Sequence, residues 1–527
     1  MSGCNGLRRL ALVALLLCGG GAQAAQAPQL IAREGRHALL VDGAPFTVLA
    51  AQLHNSSAWP GWMPAAFDEV AALNANTVEA PVYWEQLEPR AGQYDFSLVD
   101  ALVEQARARG LRLALLWFGT WKNGQMHYAP EWIKRDRVRY PRVVDAKGRA
   151  LDVLSPHGAA TLEADSRAFA ALMAHLRVLD EGRYTVILVQ VENEPGSMGA
   201  VRDFGPQAQA RFAAPVPAAL ARRMGVDGTR GWAAAFGERA DELFNAWAIA
   251  GYIDAVAQAG QRAYRLPMYV NAWLRYASHR FPGADYPSGG ATWNVLDAWK
   301  LAAPHIDLIG VDSYADGTAE HLDLVAPYAR ADNPLWISES HFQARTTSYA
   351  FDALGRGGIG SSVFGVDHNP DDDANRAAIA AHALNFGLLR ALQPALAKAA
   401  FEGRVHAAVE LPGQPRQTLA LPGWDVAIAY GAPRWGKAPA QLPGNPGHDG
   451  RVLLIEQGPG EVLLAGVSAR IDFAPRGHAG EVLRVEQGHF DPAGHWQVER
   501  LLNGDETDYG LNLGQAVQLL RVVAELP

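Results

Sequence analysis

Cysteine is almost absent from this chain of 527 residues. Its two cysteines, Cys4 and Cys18, both lie within the first 18 residues. So few thiols exclude a disulfide-stapled scaffold and a zinc site built from several cysteines. If the first segment is removed on export, the mature chain has no cysteine, which suits an exported protein that folds without disulfides.

Basic residues are also scarce. The chain has 46 lysines and arginines against 55 acidic residues, a formal net charge of −9, and shows no basic stripe. We therefore expect no nucleic-acid partner. Apolar residues make up 49% and charged residues 19%, which is typical of a globular chain with a large core. The length predicts one large domain with a smaller one, or two to three domains.

Residues 1–27 have the features of a secretory signal peptide. Two arginines precede the apolar run Leu10 to Cys18, which is too short to span a bilayer, and residues 22–27 offer small-x-small cleavage sites. We expect a periplasmic or extracellular protein. A lipoprotein anchor at Cys18 is a less favoured alternative, because Leu17 stands where a small residue is expected. No later run is apolar enough to cross a membrane, so no membrane contact is expected after cleavage.

Strand and helix patterns alternate about eight times between residues 45 and 365. This predicts an α/β fold, a (β/α)8 TIM barrel over residues 28–399. The alternative, an open doubly wound sheet, should carry a glycine-rich turn after its first strand, and Gln52 to Asn55 has none. The strand candidates are Thr47–Leu53, Thr77–Ala80, Arg112–Phe118, Thr185–Val191, Pro267–Val270, Ile306–Val311, Pro334–Ser338 and Gly360–Phe364.

Helical periodicity and a later run of short strands complete the outline. Residues 400–527 predict a smaller, sandwich-like all-β domain, because short apolar runs there are separated by glycine and proline. The helix candidates are Asp68–Leu73, Val99–Arg109, Ser166–Leu179 and Asp373–Lys398. The β candidates are Arg404–Glu410, Asp425–Tyr430, Val452–Gln457, Val462–Phe473, Val482–Gln487 and Trp496–Leu502, with a loop at 433–450.

Two glutamates follow predicted strands 4 and 7. Glu194 lies at the end of strand 4, after Asn193, and Glu339 lies at the end of strand 7, after Ser338. The active site of a TIM barrel lies at the carboxyl ends of its strands, so both side chains should reach its mouth. Hydrolysis of a glycosidic bond with retention needs two carboxyl groups about 5–5.5 Å apart, one a protonated acid and one an ionised nucleophile. The pair therefore favours a retaining glycosidase.

Neighbouring residues have predicted supporting roles. Asn193 should present its amide to a sugar hydroxyl, and the Tyr314 hydroxyl should hold Glu339 ionised. Glu192 has the strand parity of Glu194, so we expect it to point inward and to have a structural hydrogen-bonding role.

Tryptophan is abundant, with 15 in the chain, and indole faces pack well on sugar rings. We expect about half of those near strand ends to be core residues instead. These are Trp84, Trp117, Trp121, Trp273, Trp293 and Trp299. The 16 histidines show no metal-binding spacing, and serine-hydrolase and phosphate-loop motifs are absent, so neither a metal nor a cofactor is expected.

Two segments resemble the signatures of the clan A retaining glycoside hydrolases. They are Val189 to Glu194 and Trp336 to Glu339, and within that clan the chain most resembles family 35, the β-galactosidases with a small C-terminal β-domain. Residues 76–89, 92–96 and 115–124 support this, and the resemblance covers the barrel throughout and the β-domain more loosely. It implies that Glu194 is the acid/base, that Glu339 is the nucleophile, that no cofactor is needed and that terminal β-linked galactose is the substrate.

Two loops depart from the family 35 pattern. Many members carry Trp-Asn-x-His-Glu-Pro after strand 2 and Cys-Ala-Glu after strand 3, where this chain has residues 84–89 and 117–124. The sugar contacts of those loops do not carry over, and family 42 β-galactosidases remain similar. The candidate substrate-binding residues are Asn193, Tyr314, Tyr83, Glu85, Trp117, Trp121, Asn271 and Trp273.

These observations predict a retaining exo-β-galactosidase that acts by double displacement. The alternatives are another clan A β-glycosidase (a family 42-like β-galactosidase, β-glucosidase, β-mannosidase or endo-glycanase) and a non-catalytic sugar-binding barrel. The expected partner is a carbohydrate, with a plant cell-wall glycan as a candidate, and pairing of subunits into a homodimer is one candidate role of the β-domain.

Overall fold

We describe a computed structural model that covers residues 25–431, 442–476 and 480–525. Most of the predicted signal peptide, residues 1–24, and part of the predicted 433–450 loop lie outside these ranges. Within them, no helix is both long and apolar enough to cross a membrane.

The described residues form the following strands and helices. The strands are β1 Gln29–Arg33, β2 Arg36–Val41, β3 Ala44–Phe46, β4 Val48–Gln52, β5 Thr77–Tyr83, β6 Arg112–Lys122, β7 Arg142–Val144, β8 Ala150–Leu154, β9 Val186–Asn193, β10 Met268–Trp273, β11 Leu308–Ser313, β12 Trp336–Ser340, β13 Gly360–Phe364, β14 Val405–Val409, β15 Arg416–Leu421, β16 Trp424–Tyr430, β17 Arg451–Gly458, β18 Glu461–Val467, β19 Ala469–Pro475, β20 Val482–Phe490, β21 Trp496–Leu502, β22 Leu511–Leu513 and β23 Leu519–Ala524. The α-helices are α1 Met63–Ala72, α2 Trp84–Leu87, α3 Ser97–Ala108, α4 Glu131–Arg135, α5 Ala159–Asp180, α6 Pro206–Ala213, α7 Ala218–Met224, α8 Trp232–Phe236, α9 Ala240–Ala263, α10 Leu296–Ala302, α11 Thr318–Val325, α12 Ser348–Gly355, α13 Asp373–Glu402 and α14 Asp505–Asp508.

Eight parallel strands of the described chain close into a barrel in the order β4-β5-β6-β9-β10-β11-β12-β13. All eight predicted strands are confirmed. They read as continuous apolar runs because each is covered inside by its neighbours across the barrel and outside by helices. Closure brings Gly360 beside Val48, where a Cβ on the glycine would lie 2.0 Å from the Val48 carbonyl oxygen. Only glycine fits at this contact.

The predicted helices are present, and two of them, α1 and α5, begin more than one turn earlier than expected. α1 begins at Met63 and not at Asp68, and its proline in the first turn suits a helix start. α5 begins at Ala159 and not at Ser166, and it packs along α9 on the outside of the barrel. A short sheet of β1, β2 and β3 precedes the barrel.

The C-terminal region is a β-sandwich, as predicted. A sheet of order β14-β17-β18-β23-β20-β21 faces one of order β15-β16-β19-β22, with a separate apolar core between them. The single strand predicted over Val462–Phe473 is two strands, because Ser468 has a φ of 52° and turns the chain from one sheet to the other. β15, β22 and β23 were not predicted. α13 ends at Glu402, so the proposed division after residue 399 falls in its last turn.

Candidate active site

A cavity of about 370 Å³ opens at the carboxyl ends of the barrel strands. Both predicted catalytic glutamates lie in its wall. The lining residues are Asn55, Lys122, Asn123, Glu194, Trp273, Tyr276, His279, Asp312, Tyr314, Glu339 and Phe364.

Glu194 stands where the chain turns sharply out of β9. Its φ is 43°, and Gly196, two residues on, has a φ of 155°. A Cβ at Gly196 would lie 2.5 Å from the Pro287 side chain, so a larger residue would push this turn away. The Glu194 backbone N–H donates to Oδ1 of Asn271 at 2.8 Å. These contacts fix the backbone that carries the Glu194 carboxyl.

Glu339, on β12, is surrounded by hydrogen-bond donors. Its Oε1 accepts from the side-chain amides of Gln52 at 3.0 Å, Asn271 at 3.2 Å and Asn193 at 3.3 Å. Its Oε2 accepts from the hydroxyl of Tyr314 at 2.7 Å. Hydrogen bonds to a carboxylate stabilise its charged form. The arrangement suits an ionised carboxylate with restricted orientation.

Asp312 is a third buried carboxyl beside the two glutamates. One oxygen each from Glu194, Asp312 and Glu339 lie within 4.8 Å of one another. Asp312 accepts from Asn271 Nδ2 and from Ser338 Oγ, each at 2.7 Å. Burial, then the charges of Glu339 and Glu194, raise the pKa of Asp312 well above its ordinary value. Three adjacent anions are too costly in this buried place, so we expect the group to retain protons at neutral pH.

The pKa of Glu194 is raised to about 7. Burial is the main cause and the nearby charge of Glu339 adds to it, while the ammonium of Lys122 acts in the opposite direction. A carboxyl that is still about half protonated near neutral pH can serve as a general acid. The environments of Glu194 and Glu339 thus differ in the way that an acid and a nucleophile require.

A second layer of buried carboxyls lies behind the cavity. Burial raises the pKa of Glu79, on β5, to about 8, and its Oε2 accepts from the Tyr269 hydroxyl at 3.1 Å. Glu192 accepts from the Trp121 backbone N–H at 2.7 Å, and burial followed by the charge of Asp165 raises its pKa well above the ordinary value. The hydrogen bond of the Glu192 side chain agrees with its expected structural role. The side chain does not point into the barrel as expected, because a φ of 65° at Glu192 breaks the strand alternation and its carboxyl faces Asp165 on α5.

Some predicted substrate-binding residues lie at the cavity. Trp273 and Tyr314 line it. Asn193 and Asn271 are buried beside it and contact Glu339, so the structure gives both amides a role in holding that carboxylate. The predicted contact between the Tyr314 hydroxyl and Glu339 is present.

The other four predicted substrate-binding residues do not line the cavity, which corrects the expectation. Trp117 is fully buried and donates its indole N–H to Asp165, and Trp121 packs against Tyr252 on α9. Tyr83 is buried, with its hydroxyl accepting from the Ala58 backbone N–H. Glu85 pairs with Lys134 at 3.2 Å. β6 continues to Lys122, so the two tryptophans lie within the strand and face the helices.

Of the six tryptophans near strand ends, four are core residues. Trp84, Trp117, Trp121 and Trp299 are fully buried, whereas Trp273 lines the cavity and Trp293 is exposed. The share in the core is somewhat larger than the expected half.

The predicted catalytic and substrate-binding residues do not include several residues that the structure places at the site. Asp312 stands two positions before Tyr314 at the end of β11, so strand parity could have identified it. Gln52 and Lys122 are the last residues of β4 and β6, so their position at strand ends also indicates that they lie near the site. Glu194, Asp312 and Glu339 also form a group that could hold a metal ion. Glu339 already has amide and hydroxyl donors around it, so its charge is compensated by hydrogen bonds.

Two family models match parts of the chain. The glycoside hydrolase family 42 model, described as beta-galactosidase, matches residues 55–252, and a domain of unknown function, DUF5597, matches residues 382–514. These matches do not confirm the expected resemblance to family 35, and they agree with the alternative, family 42. The first match includes Glu194 and ends before Glu339.

Known β-galactosidases are similar to part of the chain. It is 30% identical over 168 residues to a beta-galactosidase of Xanthomonas manihotis, an alignment that covers 30% of this chain and 25% of that protein. Two solved beta-galactosidases have a TM-score of 0.48. The one from Bacillus circulans sp. alkalophilus is 12% identical, with 66% of this chain and 56% of that chain covered. The one from Rahnella sp. R3 is 15% identical, with 69% and 57% covered. The chain thus spans a quarter of the curated relative and just over half of these structures.

Proposed function

We propose that this protein is a retaining exo-β-galactosidase in which Glu194 is the acid/base and Glu339 the nucleophile. The observation that carries the proposal is the pair itself. An oxygen of one carboxyl lies within 4.8 Å of an oxygen of the other, which suits the spacing of about 5–5.5 Å between the carboxyl groups of retaining enzymes better than the spacing of about 6.5–9.5 Å in inverting ones. The partial similarity to β-galactosidases supports galactose as the sugar.

In the first step, the ionised Glu339 attacks the anomeric carbon of the bound galactoside. The bond to the leaving oxygen breaks while Glu194 transfers its proton to that oxygen. The raised pKa of Glu194 keeps this proton available near neutral pH. The products are the free aglycone and a galactosyl ester of Glu339.

In the second step, a water molecule attacks the anomeric carbon of the ester. Glu194, now ionised, removes a proton from this water, and Glu339 leaves as a carboxylate. The donors from Tyr314, Asn193, Asn271 and Gln52 stabilise that carboxylate as it is released. Two inversions at one carbon give galactose with its original β configuration.

The size of the cavity supports exo action. Its volume of about 370 Å³ is near the lower end for small-molecule sites, which suits one sugar residue better than a long chain inside it. We also propose that the protein is exported, on the basis of the predicted signal peptide. N-terminal sequencing of protein from the periplasm or medium would test this, and an intact N-terminus would contradict it.

Initial rates on nitrophenyl β-galactoside, β-glucoside, β-mannoside and α-galactoside test the activity. We expect release from the β-galactoside, loss of at least about 10³-fold in kcat for Glu339→Gln, and no loss for Glu85→Gln, whose side chain lies outside the cavity. Proton NMR of the first product should show β-galactose. An α-anomer would contradict retention, and preference for another glycoside would contradict the sugar.

A further inference from the structure

Exposed aromatic side chains are concentrated at the mouth of the barrel. In the described part of the barrel region, the exposed large aromatic residues are Trp59, Trp62, Phe281 and Trp293, with 39%, 55%, 68% and 46% exposure. The other exposed large apolar residues there are aliphatic. All four aromatic residues lie on loops that follow the carboxyl ends of strands, the end at which the catalytic cavity opens.

The four aromatic residues lie on two loops, which are on opposite sides of the cavity. Trp59 and Trp62 follow β4, whereas Phe281 and Trp293 follow β10. In the barrel order, β4 and β10 are four strands apart in a ring of eight, so they face each other across the mouth. A ligand that contacts both loops must pass over the cavity.

The exposed tryptophans are held in place. Trp62 packs edge-on against His368 with ring centres 4.4 Å apart, and Trp59 lies nearly parallel to Tyr83 at 6.4 Å. Trp293 donates its indole N–H to the Arg275 carbonyl at 3.1 Å, and the Arg275 guanidinium lies 5.3 Å from its ring centre. Side chains fixed before binding lose little conformational entropy when a ligand packs on them.

Both loops are also joined to the wall of the cavity. Arg275, which contacts Trp293, lies in the sequence between Trp273 and Tyr276, and both of these line the cavity. His368, which contacts Trp62, comes four residues after Phe364, which also lines the cavity. Separate indole faces around a polar cavity suit the flat C–H faces of successive sugar rings. A protein interface would instead call for one contiguous apolar patch.

We propose that these tryptophans form a glycan-binding surface on both sides of the cavity. The substrate is then a branched polysaccharide whose backbone lies across the mouth, while one β-linked galactose side residue enters the cavity. This inference rests on the proposed function and deepens it, because it names the part of the substrate beyond the cleaved bond. The backbone contacts Trp59 and Trp62 on one side and Trp293 on the other.

The test compares a small and a large galactoside. The probes are nitrophenyl β-galactoside and xyloglucan, a β-1,4-glucan with side chains that end in β-galactose. For Trp62→Ala and for Trp293→Ala, we expect the ratio of kcat/KM on the polysaccharide to kcat/KM on the nitrophenyl substrate to fall about three- to tenfold. The double variant should combine both losses. The control is Tyr509→Ala, an exposed aromatic residue of the β-sandwich, which should leave the ratio unchanged.

Binding gives a second measurement that does not depend on turnover. In the Glu339→Gln background, electrophoresis through a native gel containing xyloglucan should show retardation, and each tryptophan variant should reduce it. The proposal would be overturned if the tryptophan variants kept the parental ratio of the two kcat/KM values, which includes equal losses on both substrates. It would also be overturned if the protein shortened the polysaccharide chain, which would mean cleavage within the backbone. If a tryptophan variant changed the sedimentation of the protein but not this ratio, the surface would be a protein interface instead. Absence of galactose release from every probe would overturn the proposed activity, and the gel would still test the surface.

Discussion

The hydroxyl of Tyr314 donates a 2.7 Å hydrogen bond to Oε2 of Glu339. The other carboxylate oxygen, Oε1, accepts from three side-chain amides, so Tyr314 supplies the hydroxyl donor of the set. Its ring also packs edge-on against His341, which limits its movement. One residue therefore orients the proposed nucleophile and stabilises its charge.

Tyr314→Phe should lower kcat/KM on nitrophenyl β-galactoside by about 10- to 100-fold. A hydrogen bond to a charged group contributes roughly 1.5–3 kcal/mol, and the departing carboxylate needs it in both chemical steps. Steady-state kinetics measure the loss, and a thermal melt checks the fold. Tyr349→Phe is the matched control, because it removes a buried hydroxyl that contacts the Ala315 carbonyl and not Glu339. Equal losses in both variants would contradict a specific role for Tyr314.

The rate should fall on the alkaline side of about pH 7. Glu194 must be protonated to act as the acid, and its pKa in the free protein is raised to about 7 by burial and by Glu339. As the pH rises through this value, the acid loses its proton and kcat/KM decreases. A pH profile of kcat/KM from pH 5 to 9 on an alkyl β-galactoside measures this limb.

Glu194→Gln should abolish the alkaline limb on that substrate and lower the rate. A dinitrophenyl galactoside needs little acid assistance, so its first step should be affected far less. Glu85→Gln changes a carboxyl that lies outside the cavity and pairs with Lys134, and it should keep the limb. If the limb stays at the same pH in Glu194→Gln, another group must be responsible for it.

The barrel could be predicted from sequence because its strands are buried on both faces. β5 and β9 are buried at every position, and such runs stand out between amphipathic helices. The two glutamates could be predicted because strand ends and active sites coincide in this architecture. The side-chain directions of Trp117 and Glu192 could not, because they depend on how far β6 extends and on a positive φ within β9.

Glu79 should make the protein less stable as the pH rises. Burial raises its folded-state pKa to about 8, whereas an unfolded glutamate titrates near 4.5. Between these values the folded state keeps a proton that the unfolded state releases. The stabilising contribution is therefore complete below about pH 4.5 and is lost as the pH rises to about 8.

Glu79→Gln should flatten this dependence. The amide needs no proton, so the variant should gain stability relative to the parent between pH 5 and pH 8 by on the order of a few kcal/mol. Urea unfolding at four pH values across this range measures the difference. Glu104→Gln, an exposed change on α3, should leave the slope as it is in the parent. A parallel shift of the whole curve in Glu79→Gln would contradict the proton-linked explanation.

Arg451 joins the β-sandwich to the barrel. It lies on β17 and is buried, and its Nε donates to Oδ1 of Asn385 on α13 at 2.7 Å. Its guanidinium lies 5.6 Å from the ring centre of Phe351 on α12. Burial lowers the pKa of this arginine to about 10.

Arg451→Ala should lower the free energy of unfolding by about 2–4 kcal/mol, because it leaves a cavity and removes the donor to Asn385. Arg451→Met should lose less, since its unbranched side chain still packs on Phe351 and no buried charge has to be desolvated. Arg476→Ala, which removes an exposed partner of Asp425, should cost less than about 1 kcal/mol. Urea unfolding followed by tryptophan fluorescence measures all three. If Arg451 couples the two regions, its alanine variant should also broaden or split the transition; a single transition with parental stability would show that the apolar contacts alone hold the sandwich to the barrel.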